Sequence, residues 1–248
     1  MIFATGDTHG GFQRFSREHF PQQRQMGRDD YMIILGDFGG VWNGSSEERK
    51  RLDWLDEKPF TTLFVSGNHE NYRMLRELPV EDWHGGRVQR VRPNILHLMR
   101  GQLYDIEGRA FFSMGGATSH DVEDGILDQN DPDFRTQYLH LLLEGRRRFR
   151  IIGKSWWPEE LPSDEEYAAA LDALERADWK SDYVLTHCAP TSIAQQMNRH
   201  YQPDALTDFL ETVEQRLEFG CWLFGHYHAN RAIDKKHILL YEDIVQLT

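Results

Sequence analysis

Five short polar motifs in this sequence contain the residue types that bind transition metals in proteins. Two of the motifs place such residues two positions apart, Asp7 with His9 and His226 with His228. Residues two apart on an extended chain point to the same side, so each pair can hold one ion. The other motifs are Gly36-Asp37, Gly67-Asn68-His69-Glu70 and Thr186-His187-Cys188-Ala189-Pro190. Imidazole nitrogens combined with carboxylate and amide oxygens suit Zn, Mn or Fe, but neither a thiolate site nor a calcium cage.

Each motif taken alone has an ordinary structural explanation. A short polar pair after a strand is more often a turn than a ligand set, and Gly-Asp is common in turns. The Gly-Asn-His-Glu and Gly-His-x-His motifs are stronger signals, because a glycine lets the backbone turn sharply as it leaves a strand. The order of the motifs indicates a metal site most clearly: all five follow predicted strands, and five of the twelve histidines lie within them.

Seven short apolar runs, rich in β-branched and aromatic residues, predict the strands that position these motifs. The predicted strands are Ile2–Thr5, Tyr31–Leu35, Thr62–Val65, Ala110–Ser113, Tyr183–Thr186, Cys221–Phe224 and Ile238–Tyr241. Helical patterns lie between them at Ser45–Glu57, Asn71–Leu78, Ser163–Ala177 and Asp204–Phe219. This alternation predicts an α/β fold with mixed or parallel sheets. In such sheets, functional groups collect beyond the carboxyl ends of the strands, and the five motifs stand there.

Length and composition predict one globular domain over residues 1–248. Hydrophobic residues make up 40% of the chain and charged residues 27%, which argues against disorder. The stretch Asp121–Pro162 fits the alternation of strands and helices least. We expect it to be either an insertion or lid over the active-site face, or an ordinary surface helix and loop.

The same composition suggests a cytoplasmic protein. The N-terminus has no basic leader, no apolar run approaches the roughly eighteen residues that span a bilayer, and two cysteines make no disulfide framework. The net charge of −12 disfavours nucleic acid and anionic membranes as partners. It does not exclude a phosphate substrate, because bound metal ions reverse the sign of the local field.

Together, the motifs D-x-H, G-D, G-N-H-E, a lone His and G-H-x-H resemble those of the calcineurin-like metallophosphoesterases. The resemblance runs from Asp7 to His228. It implies a four-layer α/β/β/α sandwich with a dinuclear metal centre at the carboxyl-end edge of the strands. It further implies that one ion is held by Asp7, His9 and His228, the other by Asn68, His187 and His226, and that Asp37 bridges both.

These implied roles describe a hydrolase of phosphomonoesters or phosphodiesters that uses two divalent ions, Mn, Fe or Zn. A bridging carboxylate would keep the ions about 3.5–4 Å apart, and a hydroxide bridging them would attack phosphorus. His69 diverges from its neighbour Asn68, so we expect it to act as a general acid or as a hydrogen-bond donor to the leaving oxygen. Glu70 is expected to orient His69 or to favour the following helix N-terminus. Asn68 and His69 are also expected to contact the substrate, a small-molecule or peptide phosphate ester.

The sequence departs from the family pattern after Asp37. Many members continue as G-D-x-x-D-R-G, with an arginine that contacts the substrate phosphate, whereas this chain reads Gly36-Asp37-Phe38-Gly39-Gly40-Val41-Trp42. A replacement cation could come from Arg73, Arg135 or the cluster 146–150, or these arginines could simply be solvated surface charges. Arg73, His120 and Arg146 are therefore further candidates for contacts with the substrate.

Two other functions stay open on this evidence. One is a nuclease of the same superfamily, although the acidic chain lacks the basic surface that nucleic acid requires. The other is a binding scaffold that has lost catalysis, although all seven ligand positions and His69 are present. The sequence does not determine the oligomeric state.

Overall fold

Strands and helices alternate along the chain as the sequence predicts, and further strands lie between the predicted ones. The computed structural model describes residues 1–247. Across that range the strands are β1 Ile2–Thr5, β2 Tyr31–Leu35, β3 Thr61–Val65, β4 Val80–Trp83, β5 Gly86–Arg92, β6 Ile95–Leu98, β7 Gln102–Ile106, β8 Arg109–Met114, β9 Ile126–Leu127, β10 Arg150–Ile151, β11 Lys180–Thr186, β12 Glu218–Phe224, β13 Arg231–Ala232, β14 His237–Leu239 and β15 Val245–Gln246. The α-helices are α1 Ser46–Asp56, α2 Tyr72–Arg76, α3 Phe134–Leu143, α4 Asp164–Arg176, α5 Thr191–Met197 and α6 Ala205–Arg216. Short 3-10 helices cover Gln13–Phe15, Pro21–Gln25 and Pro158–Glu160.

Two mixed sheets form the centre of the molecule. One has the strand order β15-β1-β2-β3-β6-β5-β4, and the other has the order β13-β14-β12-β11-β8-β7. Strands β1, β2, β3 and β6 run parallel in the first sheet, and β8, β11, β12 and β14 run parallel in the second. Because parallel neighbours end at the same edge, the loops that follow these strands gather there.

The central strands bury both of their faces, since successive side chains point to opposite sides of a sheet. In β2, Ile33 packs into a core between the two sheets, while Met32 packs into a second core with α1 and α2. In β12, Leu223 reaches the core between the sheets, while Trp222 packs with α4, α5 and α6. The layer order is therefore α/β/β/α, and the expected sandwich is confirmed.

Helix boundaries follow local capping signals except where a strand competes. Ser45 accepts a hydrogen bond from the amide of Glu48 at the start of α1, as a cap should. The pattern over 204–219 predicted a helix to Phe219, but α6 ends at Arg216, because the chain from Glu218 onward pairs with β11. Within residues 1–247, no helix combines the length and apolar composition needed to cross a bilayer.

The segment 121–162 contributes elements that join neither main sheet. It contains the parallel pair β9 and β10 and the helix α3. Trp157 attaches it to the sandwich: this side chain is buried, and its ring centroid lies 5.3 Å from that of Trp42. The role of the segment as an insertion or lid stays a prediction.

His97 on β6 is a buried histidine held in its neutral form. Its Nδ1 lies 2.8 Å from Oε1 of Gln89 on the paired strand β5, and its ring stacks on Phe64 with centroids 4.9 Å apart. Burial, reinforced by the charge of Arg100, lowers the pKa of His97 to about 3. In an unfolded chain the histidine pKa is about 6.5, so between these values only the unfolded chain binds the proton.

Lowering the pH from about 6.5 to about 4 should therefore destabilise the protein through His97 by about 1.4 kcal/mol per pH unit. His97→Phe keeps a ring but removes the titrating group, so its free energy of unfolding should fall less steeply with pH. Urea unfolding in EDTA at about pH 7, 6 and 5 measures this slope, with the exposed residue His140 changed to Phe as the control. Equal slopes for wild type and His97→Phe would contradict a neutral buried imidazole.

Candidate metal centre

The carboxyl ends of parallel strands from both sheets meet at one edge of the sandwich. His187, directly after β11, donates a hydrogen bond through Nδ1 to the carbonyl of Leu35 at the end of β2, at 2.7 Å. The amide of His226, after β12, donates to Oδ1 of Asp7, after β1, at 3.0 Å. Each contact joins one sheet to the other, so the ligand motifs share a single site.

One cluster of ligand atoms comprises Asp7, His9 and His228. Nε2 of His228 lies 3.1 Å from Oδ2 of Asp7, and Nε2 of His9 lies 3.9 Å from the same oxygen. The two ring nitrogens are 3.3 Å apart. All three side chains can therefore reach one cation.

A second cluster comprises Asp7, Asp37 and His187. Nε2 of His187 lies 3.3 Å from Oδ1 of Asp37, and Nδ1 lies 4.0 Å from Oδ1 of Asp7. The other oxygen of Asp37, Oδ2, is 3.9 Å from Nδ1 of His9, which belongs to the first cluster. Asp7 belongs to both clusters, and the Asp37 carboxylate reaches from the second cluster toward His9 of the first, so both carboxylates have the reach that a bridging ligand needs.

Asn68 and His226 complete the set of side chains expected from the sequence. Oδ1 of Asn68 lies 3.3 Å from Nε2 of His187. The ring centroid of His226 lies 5.0 Å from that of His187. The structure therefore brings all seven predicted ligand residues to one place.

Three glycines leave no room for a side chain beside these ligands. A Cβ added at Gly36 would lie 2.2 Å from Nδ1 of His187, and one at Gly67 would lie 2.1 Å from Oδ1 of Asp37. A Cβ at Gly225 would lie 2.3 Å from Oδ1 of Asp7. Close backbone approach explains why glycine precedes three of the ligand positions.

Four of the ligand residues have left-handed backbone conformations. The φ angles are 46° at His9, 45° at Asp37, 70° at His226 and 49° at His228. Such angles cost about 1–3 kcal/mol for a residue with a side chain and persist only where the surroundings enforce them. Here the amide of His9 donates to the carbonyl of Asp37 at 2.8 Å, which ties the first two loops together. Strain of this kind clusters at functional sites.

The electrostatics of the edge fit a bound cation. Asp7 and Asp37 are each 1% exposed. Although His228 is close to it, Oδ2 of Asp7 accepts no hydrogen bond of good geometry from any residue in the described range 1–247. Burial lowers the pKa of His187, but the charges of Asp37 and Asp7 outweigh this effect and raise it to about 9. The carboxylates thus attract positive charge, and the site fits divalent metal ions.

Burial keeps His9 and His226 close to their neutral form, whereas the Asp7 carboxylate draws His228 toward its protonated form. Burial lowers the pKa of His226 well below its usual value, and burial also lowers the pKa of His9. Contact with the Asp7 carboxylate raises the pKa of His228. A neutral imidazole offers the lone pair that a metal needs.

Ser119 and Glu160 are functional positions that the motifs did not reveal. Nδ2 of Asn68 donates to Oγ of Ser119 at 3.3 Å, and Ser119 donates to Oε2 of Glu160 at 2.6 Å. This chain of hydrogen bonds turns Oδ1 of Asn68 toward His187. Ligands are commonly oriented by such partners, but Glu160 has no local sequence signal that links it to Asn68.

Glu70 supports the Asp37 loop. Its Oε1 accepts a hydrogen bond from the amide of Phe38 at 2.7 Å, and the side chain is fully buried. Burial, reinforced by the charge of Asp37, raises the pKa of Glu70 to about 8. Glu70 therefore holds the backbone after Asp37. This contact differs from both expected roles, which were to orient His69 and to favour the following helix N-terminus.

His69 lies beside a groove of about 210 Å³ that opens next to the metal ligands. Its ring centroid is 5.3 Å from that of His9 and 6.5 Å from that of Trp42. Burial lowers the pKa of His69. The negative charge of Asp37 opposes this shift, and the positive charge of Arg150 reinforces it. The groove is lined by His9, Gly39, Trp42, Asn43, Glu48, Arg51 and His69.

The candidate substrate contacts lie at different distances from the centre. The ring of His120 is 4.8 Å from that of His226. Arg73 is mostly exposed near Glu77, and Arg146 lies beside Glu144 at 3.2 Å. Arg150 is more buried, with 22% of its side chain exposed, and it donates through Nε to Asp121 at 3.0 Å.

Comparison with known proteins agrees with this geometry. The family model of the calcineurin-like phosphoesterases matches residues 1–230. The chain belongs to the calcineurin-like phosphoesterase family. The matched range contains both clusters of candidate metal ligands, and the resemblance noted in the sequence is confirmed.

Two lariat debranching enzymes are similar to this chain. The enzyme of Gallus gallus is 21% identical, and lariat debranching enzyme A of Xenopus laevis is 20% identical. Each alignment covers 95% of this chain but 44% of the relative. The chain therefore spans less than half the length of the curated relatives it matches.

Gly67→Ala should displace the Asp37 carboxylate, because the added methyl group would lie 2.1 Å from Oδ1. We expect metal affinity to fall about ten- to hundred-fold, the usual effect of losing support for a ligand. Metal competition titrations measure the change, and circular dichroism checks the fold. Gly27→Ala is the matched control, because its Cβ would meet no atom closer than 3.9 Å. A folded Gly67→Ala protein with wild-type affinity would contradict the proposed role of Asp37.

Proposed function

We propose that this chain is a metal-dependent phosphoesterase that hydrolyses a phosphomonoester or phosphodiester where the two sheets meet. The main support is the convergence of predicted ligands from both sheets around two buried carboxylates. Asp7, His9 and His228 would hold one divalent ion, Asn68, His187 and His226 the other, and Asp37 would contact both. Mn, Fe and Zn all accept this donor set. Such a pair of ions supplies Lewis acidity toward the phosphoryl oxygens and activates water.

His69 assists the departure of the leaving group in this proposal. It adjoins Asn68 and faces the groove that also contains Trp42. Burial holds the pKa of His69 below its usual value, so the imidazole is neutral at about pH 7. Of the two roles considered, a hydrogen-bond donor to the leaving oxygen therefore fits better than a charged general acid.

Arg150 is the cation that we propose in place of the missing family arginine. Burial is the main cause of the lowered pKa of His69, and the charge of Arg150 is close enough to lower it further. Burial lowers the pKa of Arg150 itself, and the charge of Asp37 opposes that change. Nε and Nη2 of Arg150 already pair with Asp121, so a phosphate oxygen would be bound by the remaining guanidinium nitrogen or would compete with that carboxylate.

The favoured substrate is a small-molecule or peptide phosphate ester. We propose that the protein acts in the cytoplasm. Because two relatives are lariat debranching enzymes, an RNA phosphodiester is a second candidate. The net charge of −12 opposes long-range attraction of RNA. If the protein cleaves RNA at a rate comparable to its hydrolysis of small phosphate esters, the second candidate is favoured.

The hydrolase proposal and the role of His69 can be tested together with aryl phosphates and Mn²⁺. The wild-type protein should turn over p-nitrophenyl phosphate and phenyl phosphate. His69→Ala should keep its metal content and lose about 10²–10³-fold in rate, mostly with the poorer phenyl leaving group. His69→Gln keeps an N–H donor and should recover part of that loss, and the exposed His140→Ala is the control.

Two outcomes would count against these assignments. The hydrolase proposal would not survive an absence of turnover of aryl phosphate monoesters and diesters with Mn, Fe and Zn alike. If His69→Ala instead loses bound metal, His69 is a ligand and its proposed role is wrong.

Arg150→Gln should weaken substrate binding without removing the metals. Loss of a charged hydrogen bond to phosphate should raise KM about 10- to 100-fold and weaken inhibition by inorganic phosphate by a similar factor. Arg148→Gln is the matched control, because Arg148 is 61% exposed and paired with Glu123. Equal effects of the two substitutions would show that Arg150 acts only through the general charge of the segment.

A further inference from the structure

A second pocket, of about 330 Å³, lies behind the loop that carries Asn68. Its walls come from the end of β3, from α2, from β5 and β6, and from the start of α4. Ser66 belongs to the lining but precedes the metal ligands, and none of the seven candidate ligands lines the pocket. A volume of this size is large enough for a small organic molecule.

Two buried polar atoms of lining side chains have no hydrogen-bond partner among residues 1–247. They are Nε2 of His97 and Nε of Arg100, and both side chains are 6% exposed. Oγ of Ser66, which is also buried beside the Tyr72 hydroxyl, makes no hydrogen bond of good geometry. Buried polar groups are normally satisfied, so these atoms suit a molecule that enters the pocket.

The hydrogen-bonding roles of the lining follow from its neighbours. Gln89 donates through Nε2 to the carbonyl of Leu75 at 2.8 Å, so its Oε1 accepts from Nδ1 of His97. Nε2 of His97 is then left with a lone pair and acts only as an acceptor. Nε of Arg100 acts only as a donor. The pocket therefore presents one acceptor and one donor.

The charges of the lining are already paired. Arg100 lies 3.1 Å from Glu166, and it donates to the Tyr72 hydroxyl at 2.7 Å. Arg76 at the entrance is paired with Glu159. An anion would gain little from these neutralised arginines and would meet the lone pair of His97. The lining consequently favours a neutral ligand over a phosphate or carboxylate.

We propose that this pocket binds a neutral small molecule that carries both a hydrogen-bond donor and an acceptor, such as a carboxamide. One N–H of a carboxamide would donate to His97 and the other to Oγ of Ser66. The carbonyl would accept from Arg100, and the apolar part would lie against Leu75 and Met99. The proposal does not depend on phosphoester hydrolysis. The competing occupant is a group of ordered waters, which also satisfy buried polar atoms.

Benzamide is the probe, and benzoate and toluene are the comparisons. The zinc-supplemented protein is labelled with ¹⁵N, and the signals of Ser66, Arg100 and the His97 ring are followed during titration. Benzamide should bind with a Kd of about a millimolar, within the limit for so small a ligand, and at least about tenfold more tightly than either comparison. Tighter binding of benzoate, or unchanged signals at saturating benzamide, would overturn the proposal in favour of an anion site or of water alone.

Substitutions locate the bound probe. His97→Phe removes the acceptor and should weaken benzamide binding about tenfold or more, and Ser66→Ala should weaken it about three- to tenfold. Ser66→Ala keeps the test valid if His97→Phe does not fold. Ser113→Ala is the matched control, because Ser113 is also buried with an unpartnered hydroxyl but lies outside the pocket. Equal affinity of the Ser66→Ala and Ser113→Ala proteins for benzamide would overturn the assignment to this pocket.

Discussion

Asp7 and Asp37 are buried together where the two sheets meet, and the rest of the centre follows from that burial. An unpaired carboxylate loses several kcal/mol of solvation when it is buried. Backbone amides offset part of this loss, since His226 donates to Asp7 and His69 donates to Asp37. The two carboxylates also raise the pKa of His187, and its protonated ring offsets another part of the lost solvation. The residual demand for positive charge makes this edge a site for cations.

The same constraint accounts for the backbone around the carboxylates. Loops from different sheets approach so closely that Gly36, Gly67 and Gly225 cannot carry a side chain. Left-handed conformations at His9 and Asp37 persist because hydrogen bonds join the two loops. Strained loops can hold a fixed geometry only when the elements behind them are rigid, and the closely packed sandwich meets that requirement.

The candidate metal centre and the proposed substrate contacts come from different parts of the chain. The seven candidate ligands stand at the ends of sheet strands, whereas Arg150 belongs to the segment 121–162 outside the main sheets. Trp42 follows the Asp37 loop and borders the groove beside His69. Such a division lets a family keep one reaction while the substrate changes, because loop changes do not disturb the packed strands.

Local patterns in the sequence determined the central strands and the candidate ligands. Strands β1 and β2 span the predicted residues, because a strand buried on both faces requires a continuous apolar run. Each ligand motif directly follows such a run, so its position could be predicted from its neighbours. By contrast, β4 alternates between exposed and half-buried residues and has no apolar run that marks it as a strand.

Only the tertiary structure decided which distant side chains support the centre. Ser119 lies 51 residues from Asn68 and 41 from Glu160, yet the three form one chain of hydrogen bonds. Packing of the segment 121–162 likewise decides that Arg150 lies near His69. Packing of the sheets and helices decides which donor and acceptor line the second pocket. A local sequence pattern reflects only the conformation of its own segment. These contacts instead depend on how packing brings segments together that are far apart in the sequence.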